Sequence, residues 1–149
     1  MKLTALFSLL SVASATSYCP SRPATSTEQI SIFNEFVQKF YYAKNIRAAF
    51  VDHFSPSWIE HAPTAPPGTL NQTIDALTGL AAISNFTVFH TGIYNNTGWV
   101  HIRQDTQGSA PVAIADIFQF NGSCIVEHWD ITQERPANPV NPLALWTPS

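Results

Sequence analysis

The stretch from Pro111 to Gln133, PVAIADIFQFNGSCIVEHWDITQ, holds two runs rich in β-branched and aromatic residues with Asn121-Gly122 between them. Asn-Gly in that setting is a strong hairpin signal, because a type I′ turn needs positive φ at both central residues. With those two residues as the whole loop, Phe120 pairs with Ser123, Asp116 lies opposite Glu127, and Ile114 lies opposite Trp129. Directly opposed residues share a face of the sheet. This register therefore puts Asp116, Glu127 and Trp129 on one surface with Ile114, Phe118 and Ile125, and turns His128 and Asp130 away. A one-residue bulge would exchange the two sets. Either way, a carboxylate at Asp116 interrupts an apolar face.

The rest of the chain reads as helices followed by strands. Ser26 and Gln29 have capping-box spacing, and Ile30, Phe33, Val37, Phe40 and Tyr41 recur at helical spacing after them. A second helix is expected from Ile46 to Phe54, with Ile46, Ala49, Phe50 and His53 inward and Pro56 ending it. Trp58 to His61 is a short extended piece before a Pro/Gly loop, and a third helix starts at Asn71. Phe86 to Tyr94 and Trp99 to Gln104 are strands, joined by a turn at Asn95-Asn96-Thr97-Gly98. In the second of them Trp99, His101 and Arg103 share one face, and Val100 and Ile102 the other. Helices gathered on one side of an antiparallel sheet make an α+β domain. A curved antiparallel sheet over three N-terminal helices leaves a cavity between them, a natural ligand site.

The ends are different in kind. Residues 1–15, with Lys2, an apolar run from Leu3 to Val12 and Ala13-Ser14-Ala15, have the layout of a secretory signal peptide. The apolar run is shorter than the roughly 20 residues a membrane span needs. Residues 16–25 read as an extended leader, 26–133 as the domain, and 134–149 as a Pro-rich tail that packs Leu143, Leu145 and Trp146 onto it. Sequons at Asn71, Asn85, Asn95 and Asn121 are glycan acceptors in a secretory route, and together with the signal layout point to an extracellular protein. Cys19 and Cys124 are the chain's two cysteines. In an exported protein they are most simply a disulfide, two free thiols being the alternative.

Seven basic against ten acidic residues, net −3, with no Lys or Arg cluster, exclude nucleic acid and anionic membrane as natural partners. The partner expected is a small apolar molecule. Ala113, Ala115, Ile117 and Val126 on the outer sheet face leave room for a homodimer. Asp116, if desolvated, is an acid–base group; its alternative is a carboxylate satisfied by Arg103 or a backbone N–H. His101, one strand earlier, either pairs with Asp116 or is a histidine bonded to a carbonyl. His61 sits at a cavity rim or in an exposed loop. His53 and His90 read as structural. Trp58, Trp99, Phe118, Glu127, His128 and Trp129 are the expected lining. No G-x-S-x-G, P-loop or G-x-G-x-x-G motif is present, and no H-x-x-x-H or H-x-H spacing supports a metal.

Trp58-Ile59-Glu60-His61-Ala62-Pro63, then Val100-His101, Asp116-Ile117-Phe118 and Glu127-His128-Trp129-Asp130, resemble the SnoaL-like polyketide cyclase family over roughly residues 28–133. The resemblance implies the cone-shaped α+β fold shared with nuclear transport factor two and ketosteroid isomerase. It also implies intramolecular aldol closure without metal or cofactor, with an acid–base role on Asp116 and with His101 and His61 as pocket partners. Ala62 stands where relatives often carry Asn, which removes one polar contact.

Overall fold

The computed structural model describes residues 17–65 and 67–146; the expected signal peptide lies outside them. Helices α1 (Ser26–Val37), α2 (Ile46–His53) and α3 (Leu70–Ala82) pack on a sheet of β1 (Phe54–Glu60), β2 (Ser84–Tyr94), β3 (Thr97–Thr106), β4 (Val112–Asn121) and β5 (Cys124–Glu134). The sheet order is β1-β5-β4-β3-β2. β2 to β5 are antiparallel, whereas β1 runs parallel to β5. The architecture is the expected α+β cone; the short extended piece at Trp58 is the longer edge strand β1, whose parallel pairing with β5 the sequence reading did not include. Pro56 lies inside β1, where an edge position spares it a ladder bond. α2 ends earlier, at His53, because Phe54 is already extended (φ −101°, ψ 141°).

α1 starts at Ser26, and its cap lies one residue before the expected one. Thr25 and Glu28 form the capping box, and Gln29 is buried instead, donating to Asn96 Oδ1 and the Gly122 carbonyl, both at 2.8 Å. The inward face is Ile32, Phe33, Phe36 and Val37, while Ile30 is 47% exposed. The helix then widens into a π-helical turn, Gln38–Tyr42, which brings Tyr41 into the core beneath the sheet. Such turns insert a residue into the helical ladder and re-aim the side chains beyond it.

The hairpin register departs from expectation for two physical reasons. The loop is Gly122-Ser123, since Asn121 pairs with Cys124, and Phe120 with Ile125. That one-residue move preserves which residues share a face. A bulge between Phe120–Ile125 and Gln119–Glu127 adds a single residue to β5 and reverses them. Asp116 thus lies opposite Asp130, and Ile117 opposite Trp129. The leader enforces this turn. Ser123, fully buried, donates to the Tyr18 carbonyl at 2.6 Å, and its backbone N–H donates to the Arg22 carbonyl at 2.9 Å. Gly122 has φ +55°, and a Cβ there would stand 2.0 Å from the Arg22 carbonyl oxygen. The Cys19–Cys124 disulfide, with Cα atoms 5.1 Å apart, closes the same contact. At the β2–β3 turn Asn95 and Asn96, with φ 48° and 62°, supply a two-residue loop, so β3 begins at Thr97 inside the expected turn.

The outer face of the sheet is partly bare. Trp99 is 43% and Ile131 65% exposed there, and Trp146 of the tail lies 4.9 Å from the Arg103 guanidinium and 5.4 Å from that of Arg135. Leu143, expected to pack, is 58% exposed. The sequon residues Asn71, Asn85, Asn95 and Asn121 are all at the surface.

His53 is fully buried between Tyr18 and Phe36, and neither ring nitrogen has a hydrogen-bond partner among the described residues. Burial, reinforced by the Lys39 charge, pushes its pKa down from 6.5 to about 4. The folded state therefore resists a proton that the unfolded chain accepts. Stability is whole above pH 6.5 and falls toward pH 4, by about 3 kcal/mol for this group. We expect the urea midpoint to drop across that window, and His53→Leu, which removes the unpaired nitrogens, to flatten the drop. Equal acid slopes in both proteins would refute the assignment.

Candidate active site

A cavity of about 910 Å³ opens between the inner sheet face and the helices, within the usual range for small-molecule sites. Phe50, Phe54, Trp58, Phe86, Ile102 and Ile114 form much of its wall. Its polar floor is built by strand alternation. On β1, Trp58 and Glu60 point the same way; on β4, Ile114, Asp116 and Phe118; on β5, His128 and Asp130. β1 pairs Glu60 with His128, and β4 pairs Phe118 with His128.

These residues form one hydrogen-bonded chain. The imidazole of His128 spans two carboxylates, with Nδ1 2.9 Å from Glu60 Oε1 and Nε2 3.2 Å from Asp116 Oδ1. Tyr41 donates to the other oxygen of Asp116 at 2.6 Å. Phe118 stacks on the imidazole, with centroids 4.9 Å apart. Burial opposes a charge on His128, but the bonds to Asp116 and Glu60 and the two negative charges outweigh it and push its pKa up to about 9. Burial likewise works against the Glu60 carboxylate, and the His128 bond and charge still hold it below its ordinary value. Tyr41 is driven well above 10 by burial and by Asp116, so it remains a proton donor. Asp130 is raised by burial and then by the neighbouring Asp116 charge. His128 is thus an imidazolium at neutral pH, with both N–H groups fixed, beside a buried carboxylate that faces the cavity.

The expected residues divide cleanly. Asp116, His128, Phe118 and Trp58 meet at the cavity. His101 does not, because it pairs with Ala115 while Val100 pairs with Asp116, which turns its ring to the outer face. There its Nδ1 lies 3.1 Å from that of His90. His61 also lies outside, stacked on Trp129 at 4.5 Å and bonded to Glu127 at 2.9 Å. Glu127 and Trp129 are outside because of the bulge, and Trp99 because it pairs with Ile117. Arg103, the alternative partner for Asp116, bonds Asp105 instead. Tyr41 and Glu60 are the residues the sequence reading missed, and Asp130 is one it left open. Glu60 had a signal: it stands two residues from Trp58 on one strand, so the two share a face. Asp130 follows from the bulge, and Tyr41 from the π-helical turn.

No family model matches the sequence, and no curated protein matches it. Solved structures do. An NTF2-like protein of unknown function from Burkholderia xenovorans LB400 superposes with TM-score 0.61 at 14% identity, over 74% of this chain and 86% of that one. A candidate polyketide cyclase from Acidithiobacillus ferrooxidans superposes with TM-score 0.56 at 16% identity, over 73% and 90%. A candidate SnoaL-like polyketide cyclase from Jannaschia sp. CCS1 superposes with TM-score 0.57 at 11% identity, over 75% and 91%. The chain has the NTF2-like, SnoaL-like fold.

Proposed function

We propose that this chain is an exported, cofactor-independent acid–base enzyme acting on a small apolar carbonyl compound. The observation that carries the reading is the Glu60–His128–Asp116–Tyr41 chain on the floor of an otherwise apolar cavity. Asp116 takes the proton alpha to the carbonyl, and the C–H pair becomes an enolate. The His128 Nε2–H, already a long bond to Asp116, is shared with the enolate oxygen. Glu60 holds Nδ1–H and so keeps the other N–H aimed at the cavity. The enolate carbon then attacks a second carbonyl of the same molecule and the new alkoxide takes the proton back from Asp116, an aldol closure that needs no other reactant. Reprotonation at a different carbon gives an isomerase; loss of water after closure gives a dehydratase. The cyclase-like neighbours support the first of these. The disulfide, the apolar N-terminal run and the four surface sequons support export and glycosylation.

The test is alpha-proton exchange. The purified protein in D2O should accelerate loss of the methyl signal of 2-acetonaphthone in proton NMR. No acceleration over buffer would leave the second reading, a secreted binding protein for an apolar ligand. One feature favours that alternative: both oxygens of Asp116 already have partners.

The rate should require His128 charged. His128 holds its proton below about 9, so exchange should persist through neutral pH and fall as pH rises through that value. His128→Asn, which carries no titrating imidazole, should be slower throughout and lack the alkaline limb. An alkaline limb unchanged in the variant would assign it to another group.

A further inference from the structure

We infer that Gln104 is the specificity residue of this cavity, hydrogen-bonding a hydroxyl at the end of the substrate remote from the reacting carbonyl. The inference rests on the carbonyl-compound reading above and extends it to the shape and polarity of the substrate.

The inner face of the sheet sets two polar poles. Asp116 on β4 lies opposite Val100 on β3, and the next inward pairs are Ile114 with Ile102 and Val112 with Gln104. Four residues of strand therefore separate the level of Asp116 from that of Gln104, about 13 Å at the usual rise. Ile102 and Ile114 line the cavity between them, and Gln104 lines its far end. A molecule reaching both poles is elongated and apolar in its middle, of the size of two fused rings with a substituent at each end.

The chemistry of the far pole follows from how the carboxamide is held. Its nitrogen donates to Thr106 Oγ1 at 2.8 Å, and that hydroxyl bonds Ser84 Oγ at 2.8 Å. Ser84 is 2% exposed, so the anchor is built into the wall. Gln104 Oε1 has no partner among the described residues, which leaves an acceptor at the cavity wall. Two polar side chains of α3 also line the cavity. Gln72 completes the capping box of that helix, and the Thr73 hydroxyl donates to the Thr69 carbonyl. An acceptor without a partner selects a donor, and a site that hydrogen-bonds a hydroxyl discriminates against the analogue lacking it.

The probes are 2-acetonaphthone and 6-hydroxy-2-acetonaphthone, which carry a ketone at one end and, in the second, a hydroxyl at the other. Affinities come from fluorescence titration of the whole secreted chain. Wild type should bind the hydroxylated ketone about fivefold or more tightly. Gln104→Leu should erase that preference while leaving the affinity for 2-acetonaphthone within about twofold, the bond being lost and the apolar contact kept. Gln104→Glu, which retains an acceptor, should keep the preference, and it also guards against a Leu variant that fails to fold. A preference that survives in Gln104→Leu, its absence in wild type, or failure of either ketone to bind would overturn the inference. The outcome is separable from the catalytic reading. A Gln104-dependent preference without alpha-proton exchange leaves the inference standing and the enzyme reading fallen; exchange without the preference does the reverse.

Discussion

Asp116→Asn should lower alpha-proton exchange by about 10²–10⁴-fold, the range for removing a positioned acid–base group, while the protein stays folded. Its partners explain why the fold survives. Asn keeps an oxygen for the Tyr41 hydroxyl, which donates to Asp116 at 2.6 Å, and turns an amide N–H toward His128 Nε2. His128 accepts that bond only when neutral. Removing the Asp116 charge also removes one of the interactions that raise the imidazole to about 9, so the ring loses its proton at lower pH and keeps its Nδ1–H on Glu60. The variant thus exchanges one satisfied arrangement for another, and stability at neutral pH should fall modestly. Affinity for 2-acetonaphthone should survive, because the wall is apolar and untouched. Tyr41→Phe is the matching control: it removes a donor from the carboxylate without removing the base, and should cost about tenfold, the equivalent of one ordinary hydrogen bond to a charged group. The double variant should be little worse than Asp116→Asn alone, since the tyrosine acts through the carboxylate. Full exchange activity in Asp116→Asn would remove the residue from the chemistry.

The sequence carried the architecture because periodicity carries it. Ile46, Ala49, Phe50 and His53 face inward as their spacing says, and Val100 and Ile102 are buried while Trp99 stays partly exposed. Asp116 stood out for the same reason, a charge on an apolar strand face. Its surroundings were illegible because strand register depends on contacts distant in sequence. Asn121-Gly122 prefers a turn by local conformation, yet the turn forms one residue later, where Ser123 and the Arg22 carbonyl meet. A single bulge then decides between Glu127 and His128 at the cavity, and nothing within EHWD marks it. His101 stayed open between pairing with Asp116 and a structural place, because the length of the loop between β3 and β4 does not fix register, and it lies on the outer face. His61, open in the sequence between a cavity rim and an exposed loop, follows the last residue of β1 and lies outside the cavity against Trp129 and Glu127.

The disulfide is where that register is held, so its loss should do more than lower stability. The Cys19→Ser, Cys124→Ser protein should lose about 2–5 kcal/mol, as removal of a native bridge from a small domain does. The bridge spans 105 residues, so the entropy its loss returns to the unfolded chain lies at the upper end of that range. The local consequence is larger than the number. The leader reaches the hairpin through Cys19, Tyr18 and Arg22, and these contacts bury Ser123 and select the Gly122-Ser123 turn. Freed from them, the hairpin can take the turn its own residues favour, Asn121-Gly122. Without the bulge, that turn sets Glu127 opposite Asp116 and carries His128 to the outer face, dismantling the Glu60–His128–Asp116 chain. Urea denaturation of the reduced and oxidised forms gives the stability loss. The imidazole signals of His128 report the register, since the native ring keeps its proton to about pH 9 and one released to solvent titrates near 6.5. We expect the bridge-free protein to show the lower value in a population that grows with temperature. If the His128 titration is unchanged while stability drops, the β-bulge and the buried Ser123 hold the register unaided, and the bridge acts on the unfolded chain alone.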